Sequence, residues 1–426
     1  MARRINSVTI LGSSSGRNAG DAALLSGIMD SVDAACDKRL VYEIPTYSPN
    51  FIHRSYRNRV RGVSMLPWDG TVGMFGMPTY NSVKRTDLTI IYDNMLFDRK
   101  LFNPLTNYMP AARFFLPIAK KKGSLTGLFN AGTGPVTTAA GCKMLKEIGD
   151  MVDFLTLRDK EGLDLLRDIG VTNPNVIITA DAAVNVPPSS KERVDLIMKE
   201  LGLASGPETP GPETLAINVN TYLNTWTESG QKALTQEEFS TVMAAALDIV
   251  RKEINVPFLF VATQHHDLEI TTQVMSKLKE RGMTALCSNR TYSHYDIRGV
   301  FERVSMLFGM RLHANILCSS AKTPISGLMF QKKVTNYYKI LGLEDRLLSF
   351  DNFEENKLAA HILKCWHERA QARSKLELAI PKLQCEALRA AELVGLLDRG
   401  SSVQDAVNQI RTKQQGDTSQ LMASNS

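Results

Sequence analysis

The sequence reads as an α/β protein of two domains, each a mainly parallel sheet wrapped by helices, facing each other across a cleft, with helices added at the C-terminal end. Three observations carry this. Short β-branched and aromatic runs alternate with helical patterns in two successive series, as βα units do. The series are separated by Ala204–Glu213, ASGPETPGPE, whose three prolines and two glycines cannot continue a helix. From Asn356 to Leu397 the pattern becomes one long amphipathic helical region.

In the first series the expected strands are Ser7–Leu11, Leu40–Ile44, Leu88–Tyr92, Leu125–Phe129, Asp153–Leu157 and Val176–Thr179. Helical patterns fall at Gly20–Cys36, Tyr108–Lys122, Val136–Asp150, Glu161–Asp168 and Ser190–Leu203. The second series has strands Thr214–Val219, Pro257–Ala262, Thr284–Cys287, Val304–Gly309 and Pro324–Met329. Its helices are Thr235–Glu253, Leu268–Lys279, Asp296–Arg303 and His313–Ala321. The late helical region should break near Pro381, and from about Gly400 a polar tail should fray. This divides the chain into a Rossmann-like domain at 1–203, a linker at 204–213, a second Rossmann-like domain at 214–345, helices at 346–399 and a flexible tail at 400–426. The C-terminal helices either pack back on the first domain or join subunits. Ligands of such sheets bind at the carboxyl ends of the strands.

The length of 426 residues fits two or three domains at about 100–200 residues each. With 43% hydrophobic and 22% charged residues, the composition is that of a soluble globular protein. No run of about 18 apolar residues would span a bilayer, and the N-terminus lacks the apolar stretch of a secretory signal. The expected location is the cytoplasm, at most against the inner face of a membrane. Cys36, Cys142, Cys287, Cys318, Cys365 and Cys385 form no CxxC pair, so they read as reduced thiols rather than a zinc ribbon or redox site. A net charge of +6 suits an anionic substrate but is too weak to argue nucleic-acid binding.

Candidate site residues sit at strand ends. After the first strand, Gly12, Gly16 and Gly20 with Asn18 and Asp21 open a helix, either as an anion or substrate contact or as a plain βα turn. Gly132, Thr133, Gly134 and Pro135 repeat that logic, with Thr137 and Thr138 as further hydroxyl donors, and a helix cap is the plainer reading. Arg158 ends a strand, poised for a carboxylate or phosphate, or for a structural salt bridge with Asp159. Met310-Arg311-Leu312-His313-Ala314 is the strongest local signal, a fixed cation beside a group that titrates near neutral pH. His265, His266 and Asp267 follow another strand, where substrate contact fits better than metal because no third ligand accompanies them. His294 and Tyr295 precede the helix that leads to the Arg311 strand, with no role assigned. His53–Arg61 carries four arginines around Tyr56, either a solvated basic loop or a contact to an anionic acceptor or membrane surface.

Four blocks resemble the polysaccharide pyruvyl transferase family: GRNAGDAALLSGI after the first strand, LRDKEGLDLLRDIGV in mid-chain, TADAAVNV, and MRLHANILCSSAKTPISGLMFQKKVTNYYKILGL. Their order and spacing cover roughly Ser7 to Leu343. The resemblance implies a glycosyltransferase-B-like fold. It also implies transfer of the pyruvyl group of phosphoenolpyruvate to a sugar of a polysaccharide or glycan precursor, as a ketal, with release of phosphate. By motif match His313 and Arg158 are the functional pair. His313 would be the general acid, and Arg158 and Arg311 would bind anions. Gly16, Asn18 and Gly20 would line the N-domain, acceptor side, and phosphoenolpyruvate would sit on the C-terminal domain. Asp21, Gly132, Thr133, Gly134, His265, Tyr337 and Lys339 complete the expected substrate contacts. No metal or cofactor is called for beyond the donor. The acceptor would be a glycan or a lipid- or nucleotide-linked sugar, and peripheral membrane contact and oligomerisation stay open. Where many members carry a glycine cluster and an acidic residue, this chain has Tyr92–Leu96 (YDNML), which points to an altered acceptor or lost activity. Two other readings are a nucleotide-sugar-dependent glycosyltransferase of the same fold, using Glu344 or Asp345, and a non-catalytic carbohydrate-binding homologue.

Overall fold

The computed structural model describes residues 4–12, 15–64, 76–92, 96–103, 107–203, 212–221, 234–279, 283–329 and 332–424. The chain divides into two compact units. Unit 1 takes Met1–Gly16, Leu24–Ala182 and Leu383–Ser426, and unit 2 takes Arg17–Ala23 and Ala183–Lys382.

Unit 1 is built on β1 (Ser7–Leu11), β2 (Val41–Thr46), β3 (Arg59–Ser64), β4 (Leu88–Ile91), β5 (Leu125–Ala131), β6 (Phe154–Leu157) and β7 (Val176–Ile178). These lie parallel in the order β3-β2-β1-β4-β5-β6-β7. The central strands are unbroken apolar or β-branched runs; all four residues of β4 are buried, as expected where helices cover both faces of a parallel sheet. The helices are α1 (Ala19–Ala35), whose first turn belongs to unit 2, α2 (Pro49–Ser55), α3 (Met77–Arg85), α4 (Met109–Lys121), α5 (Ala139–Met151) and α6 (Lys160–Asp168). Leu116, Leu128, Leu145, Ile148 and Leu155 form part of one closed core with Ile91.

Unit 2 repeats the plan with β8 (Leu215–Asn218), β9 (Phe258–Ala262), β10 (Thr284–Ser288), β11 (Met306–Gly309), β12 (Ile325–Met329) and β13 (Leu347–Ser349), ordered β10-β9-β8-β11-β12-β13 and all parallel. Its helices are α7 (Lys191–Glu200), α8 (Gln236–Ile254), α9 (Asp267–Lys277), α10 (His294–Phe301), α11 (Leu312–Ser320), α12 (Lys332–Ile340) and α13 (Glu355–His367). Thr235 and Glu238 close a capping box at the start of α8. Phe239 stacks on Phe353 at 5.0 Å, within a core that includes Trp366 of α13. In both sheets the strand order reverses beside the first strand, between β1 and β4 and between β8 and β11. That reversal is where open α/β sheets leave a crevice for ligands.

Several expectations are corrected. The basic segment expected as a loop ends α2 and begins β3. β3 is an edge strand whose Arg59 and Arg61 pair in register with Val41 and Glu43 of β2. Charged side chains on an edge strand escape hydrophobic pattern reading and also discourage edge-to-edge association. β13, only three residues long, and α2, α3 and α12 were not foreseen either. Pro381 lies inside α14 (Arg369–Asp398) without breaking it. It is exposed, and enough helix flanks it on each side to outweigh the lost hydrogen bond. The tail expected to fray forms α15 (Val403–Ser424), and α7, expected in the first domain, belongs to unit 2. Most of the expected linker, residues 204–211, and Asp93–Met95 of the divergent turn lie outside the described residues.

Of the C-terminal helices, α13 and the first part of α14 belong to unit 2, and the rest of α14 with α15 packs in unit 1. Asp398 accepts from the Ile5 amide at 2.6 Å and from Lys38 Nζ at 2.7 Å. Arg411 donates to the Pro174 carbonyl at 2.6 Å and Gln414 to Ile178 at 2.7 Å, so side chains of α15 occupy the open edge of β7.

Candidate functional site

In unit 2 the site grows from the strand reversal. The Arg311 amide, just past β11, donates to Asn218 Oδ1 at 3.0 Å at the end of β8, and the Asn218 amide group donates to Val261 of β9 at 2.8 Å. The Arg311 guanidinium lies in a fork on Asp267, Nε to Oδ2 at 2.8 Å and Nη2 to Oδ1 at 2.6 Å. Asp267 is fully buried and also accepts the Thr221 amide at 3.0 Å. A paired, bidentate carboxylate is how a buried charge is tolerated. One edge of the guanidinium expected to bind anions is therefore committed within the protein.

Two residues on, half-buried His313 stands in the first turn of α11 against Gly20. A methyl group on Gly20 would overlap the His313 Cβ and come within 2.6 Å of the imidazole Nδ1. Only glycine permits this approach. The entry to α1 is tied to the loop after β9: the Ala19 amide donates to Thr263 at 2.8 Å, the His265 amide to Arg17 at 2.9 Å, and Asn18 pairs with Gln264. Asn18 also accepts the Gly20 amide at 2.8 Å, an N-cap contact. Asn18, Gly20 and Asp21, expected on the N-domain side, thus belong to unit 2 with His265, Arg311 and His313. Gly16 stays in unit 1, where a positive φ of 76° and the Phe51 ring account for it. Burial first, then the cations Arg290 and Arg17, hold the His265 imidazole below its usual range.

In unit 1, Arg158 follows β6 with a side chain only 10% exposed. Its Nη1 lies 3.2 Å from Asp181 and its Nε 3.4 Å from Asp159. A methyl on Gly132 would come within 2.6 Å of the guanidinium carbon, so that glycine clears space for the arginine. Asp159 also caps α6 through the Gly162 amide at 2.8 Å. The Gly132–Thr138 turn resolves as a cap: Thr138 accepts the Gly141 amide, and α5 begins at Ala139 rather than Val136. The amides of Thr137 and Thr138, whose hydroxyls were the expected anion donors, bond Asp98 at 2.7 and 2.6 Å. Thr133 bonds the Gly162 carbonyl, and the Gly134 amide bonds Leu96. Here the chain supplies its own carboxylates where substrate anions were expected.

The family model for polysaccharide pyruvyl transferase matches residues 18–328. The chain belongs to the polysaccharide pyruvyl transferase family. Among curated proteins none matches the sequence. Solved structures with a similar fold include a putative UDP-N-acetylglucosamine 2-epimerase from Listeria monocytogenes, with a TM-score of 0.61, 11% identity, and coverage of 91% of this chain and 94% of that one. HepE of Anabaena, solved in complex with UDP, has a TM-score of 0.52, 10% identity, and coverage of 97% and 100%. A UDP-glucosyltransferase from Polygonum tinctorium has a TM-score of 0.55, 12% identity, and coverage of 94% and 100%. The fold of this pyruvyl transferase family member is thus α/β and glycosyltransferase-B-like, with added C-terminal helices.

Two expected contacts in this family member are relocated. Tyr337 of α12 is buried, its hydroxyl 2.6 Å from Ser319 Oγ of α11, so it joins two helices. Lys339 is exposed near the C-terminal end of α12. It sits about 10 Å along the axis from the helix start that follows β12, at 1.5 Å per residue. His294 and Tyr295 are buried together in α10, ring centroids 4.0 Å apart. Among the described residues no three metal-ligating side chains converge, and no helix is long and apolar enough to cross a membrane. Sequence reading passed over Asn218, Asp181, Asp98, Arg17 and Arg290, and grouped Asp267 with His265 and His266 as a substrate contact where the structure pairs it with Arg311. The one signal available for Asp181 was its place in the TADAAVNV block.

Proposed function

We propose that the protein transfers the pyruvyl group of phosphoenolpyruvate onto a sugar of a polysaccharide or glycan precursor, forming a pyruvate ketal and releasing phosphate. The observation that supports it most is the end of β11, where His313 is pressed against Gly20 beside a guanidinium fixed by Asp267. In this reading His313, protonated, donates to the methylene carbon of the donor. C2 becomes electrophilic and a sugar hydroxyl bonds to it. The C2–O bond to phosphate then breaks with its electron pair on the phosphate. A second hydroxyl closes the ketal, and of the two hydroxyl protons one restores His313 and the other leaves on the phosphate. The positive charge of Arg311 attracts the donor's negative charge. The reading calls for no cofactor beyond the donor and places the reaction in the cytoplasm, where a lipid-linked acceptor would bring it to the inner face of the membrane.

Phosphate release from phosphoenolpyruvate with a panel of sugar acceptors tests this. Acceptor-dependent release should fall about 10²–10⁴-fold in His313→Ala, the range a general acid supplies. Unchanged release in that variant removes His313 from the chemistry. Absence of release together with thermal stabilisation by a nucleotide-sugar would favour the glycosyltransferase reading.

A further inference from the structure

We infer that Asn315 and Tyr338 are positioning residues of the site, holding from inside unit 2 the turn that carries Arg311 and His313. Asn315 lies one helical turn past Arg311 on α11 and Tyr338 lies on α12, and both are fully buried. Asn315 Nδ2 donates to the Arg311 carbonyl at 2.9 Å and to the Gly309 carbonyl at 3.2 Å. Asn315 Oδ1 accepts the Tyr338 hydroxyl at 2.9 Å. The two carbonyls can only accept, which fixes the orientation of the carboxamide and leaves its oxygen for the phenol. Both N–H groups and the oxygen are thereby paired, and a buried polar network with no orphaned member is rigid.

What this network grips is the backbone immediately ahead of His313. Arg311 stands at the N-cap of α11 and its side chain makes no cap bond there. Asn315 fixes the helix start instead: its backbone amide, at 3.1 Å, and its carboxamide both fall on the Arg311 carbonyl. The Arg311 amide is held by Asn218. Two carboxamides thus clamp one residue, one at its amide and one at its carbonyl, and the fixed cation and the histidine two residues on take their places from that turn. Room for the clamp comes from Gly309 and Gly327, which pair in register across β11 and β12. A methyl on Gly309 would come within 2.6 Å of Asn315 Oδ1, and one on Gly327 would overlap the Gly309 carbonyl and lie 3.1 Å from the Tyr338 hydroxyl. The neighbouring link between the same two helices, Tyr337 to Ser319, runs to a hydroxyl that otherwise bonds the Ile316 carbonyl of its own helix. It joins α11 to α12 without reaching the turn.

The part given to Asn315 and Tyr338 rests on the pyruvyl-transfer reading for the reaction it serves. Tyr338→Phe and Ser319→Ala in the full chain test it, since each deletes one buried hydroxyl between α11 and α12 and the two should lower the melting temperature comparably. In phosphate release from phosphoenolpyruvate, Tyr338→Phe should lower kcat about tenfold with the donor's KM within about twofold, as a displaced reacting group does. Ser319→Ala should leave both constants unchanged. Placed on Asn315→Ala, Tyr338→Phe should lower kcat no further, because the hydroxyl acts through the carboxamide. Residue-resolved hydrogen exchange reads the clamp without turnover: the Arg311 amide should exchange about tenfold faster in Tyr338→Phe and at the wild-type rate in Ser319→Ala. Unchanged kcat in Tyr338→Phe, or equal changes in the two single variants, overturns the assignment and leaves Tyr338 as packing. If the wild type releases no phosphate, pyruvyl transfer falls, and the exchange rate of the Arg311 amide alone upholds or overturns the clamp.

Discussion

Arg311 of unit 2 and Arg158 of unit 1 occupy equivalent stations, each just past the end of a buried parallel strand, yet they are wired differently. Arg311 lies at the strand reversal of its sheet and forks onto a fully buried carboxylate, with His313 beside it. Arg158 lies two strands beyond the reversal and is flanked by two aspartates and a glycine. Position at a strand end therefore marks a site but does not say which charge it will take.

The largest effect should come from the buried fork. Asp267→Ala removes the fully buried carboxylate on which Arg311 is held and should destabilise unit 2 by about 3–5 kcal/mol. Asp181→Ala, with Asp159 still in place, should cost less than half of that. Chemical denaturation of the two variants checks the pair, and equal losses would break the contrast. Next comes turnover. A methyl on Gly20 meets the base of the His313 side chain, whereas one on Gly132 meets only the movable end of Arg158. Gly20→Ala should lower phosphate release about 100-fold, the cost of misplacing a reacting group by about 1 Å, and Gly132→Ala by less than tenfold. Asp98→Ala, which strands two amides before α5, should cost unit 1 about 1–3 kcal/mol with the donor's KM unchanged. A raised KM would show that an anion reaches that turn after all.

The smallest effect is on pH. Six of the seven histidines, all but His53, lie in unit 2. Burial, and then cationic neighbours, holds His265 and His361 below the usual histidine range; for His361 a hydrogen bond to Arg346 acts in the opposite direction. The folded state then binds fewer protons than the unfolded one, so stability present above pH of about 6.5 is lost as pH falls below it. Hydrogen-exchange protection, corrected for the slower intrinsic exchange at lower pH, should fall in β11 at pH 5.5 and stay unchanged in β5. An equal fall in both would mean that the histidines do not separate the units.

Much of this was legible in the sequence where one physical cause dominated. β1, β4 and β11 are buried runs of mostly apolar or β-branched residues, and their positions were expected to within two residues. β3 was missed because its arginines face solvent at a sheet edge, where the hydrophobic pattern vanishes. His313 and Arg158 stood out because they follow buried strands. Their settings did not, because Asp267 lies 44 residues from Arg311 and Asp181 lies 23 from Arg158. Folding pairs them, and no local pattern records it.

The Ile5 amide rests on Asp398, 393 residues away, and β7 has its open edge filled by α15. During synthesis, then, the unit begun first is finished last. Residues 1–16 and 24–182 leave the ribosome with one sheet edge bare and the Ile5 amide unmet, and wait while the whole of 183–382 is made. Contacts of such sequence separation form slowly, and exposed strand edges invite association meanwhile. Chains stalled or cut before residue 383 should hold a complete second unit and a sticky, half-built first one, which would make the C-terminal helices the step that decides the yield of folded protein.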